Sequence, residues 1–145
     1  RGSPVYMCPA LGLGAAPLSK VSDVYSCGVL AWELLSGTLP YSGGELAGVA
    51  TATQLYGLVA GGLRPASGEE VAALEPRGVG SWIAVMWHPH PRLRPPLEDV
   101  GEALRVLCGE EEEPPPIRWD DGWAQSFGVS AAAGARTLLA AGPAR

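Results

Sequence analysis

The feature that most constrains the fold is one helical segment, residues 22–36, which is apolar on nearly every face. Ser22 is a suitable N-cap, and Gly37 stands where a helix commonly ends. The apolar residues of this segment are Val24, Tyr25, Cys27, Val29, Leu30, Trp32, Leu34 and Leu35. Because a helix that is apolar all round is typically buried, we expect this one to cross the middle of its domain, with Leu30 and Leu34 covered.

The remaining patterns also predict helices and loops. Apolar residues at helical spacing predict helices over 46–60, 79–87 and 96–108, and the glycines and prolines of 61–78 predict a long connection. Residues 1–21 contain glycine and proline without a period, which is typical of an ordered loop with at most a short helical turn. The sequence therefore predicts an all-α fold.

A change of composition at Gly109 predicts a domain boundary. Residues 110–113 are all glutamate, residues 114–116 are all proline, and a Gly/Ala-rich stretch follows. Charged runs flanked by proline are typical of solvated segments. We predict a domain over 1–108 and an acidic, Pro- and Gly/Ala-rich tail over 109–145 that is disordered. The alternative is that Trp119, Trp123 and Phe127 dock on the domain or on a missing segment.

The charge distribution argues against binding to nucleic acid. The chain has a net charge of −5, and residues 1–108 hold nine acidic and seven basic side chains. A phosphate backbone requires a basic surface, which this composition does not supply. No run of about 18 apolar residues is present, so we also expect no membrane span.

The cysteines and histidines argue against disulfide and metal sites. Cys8, Cys27 and Cys108 are odd in number and far apart, so they fit neither a disulfide framework nor a zinc site. They favour a reducing compartment, and we expect a cytoplasmic protein. His88 and His90 lack a third ligand at suitable spacing, so we expect no metal here.

Four segments, in order, resemble parts of eukaryotic-type protein kinases. G-S-P-V-Y-M-C-P-A at 2–10 resembles the end of a kinase activation segment, and S-D-V-Y-S-C-G-V-L-A-W-E-L-L-S-G-T-L-P-Y at 22–41 resembles the central helix of the kinase C-terminal lobe. G-L-R-P at 62–65 is similar to the link after the next helix, and M-W-H-P-H-P-R-L-R-P at 86–95 resembles the segment between the last two helices. The resemblance implies the helical kinase C-lobe, truncated.

The resemblance implies roles for residues that match the kinase motifs. The implied substrate-docking loop consists of Gly2, Ser3, Pro4, Val5 and Tyr6, with Ser3 as the hydroxyl residue that faces the catalytic loop. Asp23 is similar to the aspartate that accepts hydrogen bonds from catalytic-loop amides, and a buried carboxylate requires such donors. Trp32 and Trp87 match core positions. Arg94 matches the arginine that pairs with the glutamate of Ala-Pro-Glu.

The residues found within these motifs also imply a subgroup of protein kinases. A Gly-Ser start followed by Tyr6 favours serine/threonine over tyrosine specificity, and the sequence around Asp23 is similar to the tyrosine-kinase-like group. The intact parent would be a signalling transferase that phosphorylates serine or threonine of a protein or peptide substrate. Its missing N-lobe and catalytic loop would pack on the present chain.

Two positions depart from the kinase pattern. Cys8 stands where the family has alanine, and Ala10 stands where it has glutamate. Arginine keeps its charge in proteins, so Arg94 needs other partners if it is buried. Solvent, helix-end carbonyls and another acid are the alternatives to an unpaired arginine. We expect the unpaired case, in which Ala10→Glu would be stabilising and Arg94→Leu would cost little.

Phosphoryl transfer requires groups that the matching segments do not contain. A Gly-rich loop after a strand, a strand lysine, a catalytic aspartate and metal-binding Asp and Asn residues are needed. Lys20 is the only lysine and lies outside any strand pattern. We therefore expect no catalytic, ATP-binding or metal-binding residue in this chain, while ATP and Mg²⁺ are implied for an intact parent. The alternative is a pseudokinase or a helical interaction module without catalytic activity.

Overall fold

The computed structural model describes residues 2–76 and 78–117, which form helices and loops. Its α-helices are Pro9–Gly12 (α1), Lys20–Ser36 (α2), Ala52–Ala60 (α3), Gly68–Ala72 (α4), Val79–Met86 (α5) and Leu97–Ala103 (α6). Short 3-10 turns cover Pro4–Tyr6, Pro91–Leu93 and Leu104–Cys108. No strand occurs in these residues, so the all-α prediction is confirmed for them.

The central helix α2 begins earlier than the sequence predicts. Ser19, in extended conformation, is its N-cap, so the prediction that Ser22 caps the helix is wrong. Ser22 lies in the first turn and is buried, and its carbonyl accepts a hydrogen bond from the Ser26 hydroxyl at 3.3 Å. The predicted end is confirmed, because Gly37 adopts the left-handed conformation (φ 66°) that glycine tolerates best and donates to the Glu33 carbonyl at 2.8 Å.

Helix α2 is buried on one side only, and the prediction that it is buried all round is wrong. Leu30 is 48% exposed and Leu34 is 70% exposed. Together with the exposed Asp23 and the half-buried Cys27, they recur at i, i+4, i+7 and i+11, which is one face of a helix. We call these four residues the open stripe. Within the described part of the chain, Asp23, Leu30 and Leu34 of this stripe are exposed, whereas Cys27 packs partly on the cluster of Trp82 and Met86.

The buried side of α2 packs tightly against α5. A side chain at Gly28 would place its Cβ atom 2.9 Å from the Cβ atom of Met86 and 3.3 Å from the backbone nitrogen of Trp87. Only glycine permits this approach without displacement of α5. Both helices contribute to both apolar clusters. One cluster contains Tyr25, Val29, Trp32, Val79, Ile83 and Trp87, and the other contains Val24, Trp82, Met86, Val100 and Ala103.

The middle of the chain differs from the predicted pattern. The helix expected over 46–60 begins only at Ala52, because Thr51 and Gln54 form a capping box there and the glycine-rich stretch before it makes turns. The connection predicted over 61–78 contains α4, which starts with a second capping box between Ser67 and Glu70. The first residues of α3 and α4 are therefore set by their capping side chains rather than by the spacing of apolar residues.

The last helical segments largely follow the prediction. Helix α5 ends one residue before the predicted 87, and the segment 96–108 divides into α6 and a 3-10 turn that ends at Gly109 (φ 72°).

The start of the predicted tail contacts the helices. The Trp82 indole donates to the Pro115 carbonyl at 2.8 Å, and Ile117 packs on the cluster of Trp82 and Met86. The disorder predicted for the tail is therefore wrong at Pro115 and Ile117. Residues 118–145, including Trp119, Trp123 and Phe127, lie outside the described residues. No helix in the described ranges is long and apolar enough to cross a membrane.

A pair of truncations to alanine tests the one-sided burial of α2. Ile83 is fully buried, so Ile83→Ala should lower the free energy of unfolding by about 2–5 kcal/mol. Leu34→Ala should change the free energy by no more than about 0.5 kcal/mol, because the side chain already lies in solvent. Urea unfolding of both variants measures the difference. An equal loss in the two variants would show that the open stripe is covered.

Candidate functional site

The candidate docking loop is a short exposed turn in front of α1. Gly2, Ser3 and Pro4 are exposed, and Val5 and Tyr6 are half-buried. The Tyr6 amide donates to the Ser3 carbonyl at 3.2 Å, which closes the 3-10 turn. Proline at the first position of this turn fixes its backbone angle. The turn therefore presents the Ser3 hydroxyl to solvent on a defined backbone.

Tyr6 fastens the loop to the central helix. Its hydroxyl donates to a carboxylate oxygen of Glu33 on α2 at 2.5 Å. This hydrogen bond, followed by burial and the negative charge of Glu33, raises the pKa of Tyr6. Glu33 was not predicted as a site residue, although it belongs to the W-E-L-L sequence that resembles the kinase helix.

A second tyrosine supports the loop from α3. The Tyr56 hydroxyl contacts the Met7 sulfur at 3.3 Å. A Cβ atom at Gly12, the last residue of α1, would lie 2.6 Å from the Tyr56 ring, so glycine is required for this packing. The loop is thus held between α2 and α3.

The structure places the predicted tether and core residues in different environments. Trp32 and Trp87 are each 5% exposed and belong to the same apolar cluster. Asp23 is exposed on the open stripe of α2, the helix that also carries Glu33, and it lies outside the core. Its predicted partners, amides of a catalytic loop, are not among the described residues.

Arg94 is buried, as expected, but it is not unpaired. It is 7% exposed, and its guanidinium donates to three backbone carbonyls: His88 at 2.9 Å, Val21 at 3.2 Å and Pro89 at 3.3 Å. It also donates to the Cys8 sulfur at 3.2 Å and lies 5.0 Å from the centre of the Tyr25 ring. The expectation of a buried, unpaired Arg94 is therefore wrong. Backbone carbonyls accept the hydrogen bonds that the resemblance assigns to the family's carboxylate.

A second buried arginine lies beside the first. Arg64 donates to the carbonyls of Trp87 at 2.9 Å, Val59 at 2.8 Å and Leu63 at 2.6 Å, and it lies 5.6 Å from the centre of the Tyr25 ring. Burial lowers the pKa of Arg64 and the nearby charge of Arg94 lowers it further. From the sequence, Arg64 was identified only as part of the G-L-R-P segment, and no structural or functional role was predicted for it.

His88 lies at the edge of this cationic cluster. Its Nδ1 atom accepts a hydrogen bond from the His90 amide at 3.1 Å, so the ring is neutral in this arrangement. Burial lowers the pKa of His88 to about 4; a hydrogen bond with the His90 backbone partly opposes this shift, and repulsion from Arg64 and Arg94 adds to it. Within the described ranges, no group of three or more His, Cys, Asp or Glu side chains is arranged to hold a metal ion.

Comparison with known proteins gives a consistent relationship. No protein-family model matches the chain. It is 34% identical over 106 residues to a probable serine/threonine-protein kinase of Dictyostelium discoideum, and 32% identical over 106 residues to human mitogen-activated protein kinase kinase kinase 11. It is 28% identical over 128 residues to serine/threonine-protein kinase mos of Xenopus laevis. The chain is related to protein kinases.

The kinase relationship concerns one part of each relative. The matches cover 73%, 73% and 80% of this chain, but only 10%, 11% and 34% of the respective relatives. Most of each relative therefore lies outside the matched region.

Substitutions at Arg94 and at position 10 test the observed pairing. Arg94→Leu should lower the free energy of unfolding by about 2–4 kcal/mol, because it leaves several carbonyls without a charged donor. Ala10→Glu should be neutral or destabilising, because every guanidinium nitrogen of Arg94 already donates and a new carboxylate would lose its hydration. Arg105→Leu, which removes an exposed ion pair with Glu110, is the control and should cost less than about 1 kcal/mol. Stabilisation by Ala10→Glu in urea unfolding would contradict this account.

The lowered pKa of His88 predicts acid sensitivity. Between the ordinary value of 6.5 and about 4, the unfolded chain binds a proton that the folded chain does not. The stability that neutral His88 contributes is therefore complete above about pH 6.5 and is lost as the pH falls towards 4. Urea unfolding at several pH values should show a smaller acid-induced loss in His88→Gln than in the unchanged chain. Equal curves for His88→Gln and the unchanged chain would refute the prediction.

Proposed function

We propose that residues 2–108 form the C-terminal lobe region of a protein-kinase domain, from the end of the activation segment to the last helix. The intact kinase would transfer phosphate from ATP to serine or threonine of a protein substrate. It would belong to the tyrosine-kinase-like group and act in cytoplasmic signalling. The present residues would supply the docking loop and the scaffold beneath it. The kinase relatives and the helical architecture support this proposal.

The observation that carries the proposal is the open stripe on α2. One side of α2 packs in the core. The other side carries the Asp23 carboxylate and the exposed apolar side chains of Leu30 and Leu34. Each leucine left in water forgoes roughly 1.5–3 kcal/mol of burial. A catalytic loop that packs on the leucines and donates amides to Asp23 would satisfy both groups. This matches the role that the kinase resemblance assigns to the helix.

The docking loop is suited to an extended peptide. Its exposed residues lie on a turn fixed by Pro4 and by the Tyr6–Glu33 hydrogen bond, so the backbone is ordered before a substrate arrives. An ordered loop reduces the entropy lost on binding. We assign the Ser3 hydroxyl to contact with the catalytic loop and residues 2–6 to contact with the substrate peptide.

We infer that the described residues do not themselves hold ATP or Mg²⁺. Lys20 is exposed and pairs with Glu98 at 2.8 Å, and no cluster of metal ligands occurs in the ranges 2–76 and 78–117. In the proposed kinase, ATP, Mg²⁺ and the residues of phosphoryl transfer would therefore belong to other segments. No step of the reaction is assigned to the residues described above.

A pseudokinase or interaction module is the second candidate. It is favoured by Ala10, which replaces the carboxylate of the family motif, and by the carbonyl pairing of Arg94 that takes its place. A scaffold that keeps its shape without that ion pair can bind partners whether or not chemistry occurs.

A chimeric kinase tests whether this region supports catalysis. The matched region of human mitogen-activated protein kinase kinase kinase 11 would be replaced by residues 2–108 of this chain, and phosphate transfer to a serine/threonine protein substrate would be measured. We expect activity within about tenfold of the parent kinase. Asp23→Asn should lower kcat about 100-fold or more, because it weakens the hydrogen bonds that fix the catalytic loop.

Controls separate lost chemistry from lost folding. Glu102→Gln, at an exposed position of α6, should leave activity unchanged. A chimera that binds Mg-ATP and melts cooperatively but transfers no phosphate would favour the interaction module. The chain by itself should give no saturable heat with Mg-ATP in calorimetry, and micromolar binding would contradict the assignment of ATP to other segments.

A further inference from the structure

The start of the tail follows α5. A Cβ atom at Gly78, the residue before this helix, would lie 3.3 Å from the Cγ atom of Pro114. The Trp82 indole donates to the Pro115 carbonyl at 2.8 Å, and Ile117 packs on the apolar cluster that contains Trp82. The described start of the tail therefore runs from the beginning of α5 to the cluster that α5 shares with α2.

Burial alternates along this stretch of the tail. Pro115 and Ile117 are half-buried, whereas Pro116 between them is exposed. Side chains two residues apart lie on the same side of an extended chain. A chain that continues in this way turns Arg118 outwards and Trp119 towards the helices. Two extended residues span at most about 7 Å, so Ile117 holds Trp119 close to this part of the surface.

The apolar part of the open stripe begins at the same cluster. Cys27 is half-buried and packs on the cluster that also holds Ile117, and Leu30, three residues further along α2, is 48% exposed. Residues three apart are neighbours on a helix surface, so Cys27 and Leu30 form one continuous apolar patch. Leu34, which is 70% exposed, lies about 10 Å beyond Cys27 along the helix axis.

We propose that Trp119 packs on Cys27 and Leu30, so that the tail of this chain covers the near part of the open stripe. An indole ring brings a large apolar area to a patch that the described residues leave partly in water. Because Ile117 already holds the tail at the neighbouring cluster, the contact is intramolecular and loses little additional entropy. A second copy of the chain would lack this tether.

This contact goes beyond the proposed function and does not rest on it. In the proposed kinase, a catalytic loop is assigned to the same side of α2, so that loop and Trp119 would exclude each other at Leu30. The chimeric kinase contains residues 2–108 and therefore lacks Trp119. Its activity and the tail contact are consequently tested by separate experiments.

The reactivity of Cys27 in the full 145-residue chain tests the contact. The rate of alkylation by iodoacetamide would be measured at each cysteine by mass spectrometry, with the exposed Cys108 as the internal reference. Trp119→Ala should raise the rate at Cys27 severalfold and leave the rate at Cys108 unchanged. Trp123→Ala removes the same kind of side chain four residues further along, so it is the matched control and should change neither rate.

The coupling between Leu30 and Trp119 gives a second measurement on the full chain. In urea unfolding, Leu30→Ala and Trp119→Ala should each lower the folding equilibrium constant severalfold. The double variant should lower it little further than the more harmful single change, because both changes remove the same contact. Leu34→Ala is the control on α2, and its small effect should be the same with and without Trp119→Ala.

Three results would overturn the proposal. An unchanged Cys27 rate in Trp119→Ala would show that Trp119 does not cover this surface. Additive effects of Leu30→Ala and Trp119→Ala would show that the two side chains are not in contact. Protection of Cys27 that is lost on dilution of the protein would assign the surface to a second copy of the chain.

Discussion

The close packing of α2 against α5 is the contact on which the rest of the described fold depends. Gly28 allows the two helices to approach so closely that a Cβ atom at position 28 would lie 2.9 Å from the Cβ atom of Met86. Both helices contribute to both apolar clusters, so a separation at this point would open both. The docking loop depends on the same contact, because its anchor Glu33 lies on α2. Arg64 also depends on it, since it binds the carbonyl of Trp87 at the end of α5.

Features that depend on local sequence could largely be predicted. The ends of α2 and of the last helical segment follow from glycines in left-handed conformation, Gly37 and Gly109, and the apolar period places α5 within one residue. The first residues of the helices were harder to predict, because several polar residues in each region could cap the helix. Ser19 rather than Ser22 begins α2, and the capping box at Thr51 delays α3 by six residues relative to the predicted start.

Features that depend on distant residues could not be predicted in the same way. The Tyr6–Glu33 hydrogen bond joins residues 27 positions apart, and no local pattern indicates it. Periodicity showed that α2 is apolar on every side, but it cannot show whether the groups that cover each side lie in the same stretch of chain. For this reason Leu30 and Leu34 were expected in the core and instead lie in solvent. The kinase resemblance adds a proposal that periodicity could not give, namely that a catalytic loop packs on that side.

The surroundings of Arg94 change what the alanine at position 10 implies. A carboxylate would bind one side of the guanidinium and cancel its charge. The carbonyls of Val21, His88 and Pro89 instead bind it from two separate segments, the first turn of α2 and the connection after α5. Arg94 thus holds these two segments together, as an ion pair would, without a side chain at position 10. What the carbonyls do not replace is the negative charge of a carboxylate. The alanine at position 10 therefore changes how the charge of Arg94 is balanced. It does not by itself indicate that the scaffold has lost the shape that catalysis requires.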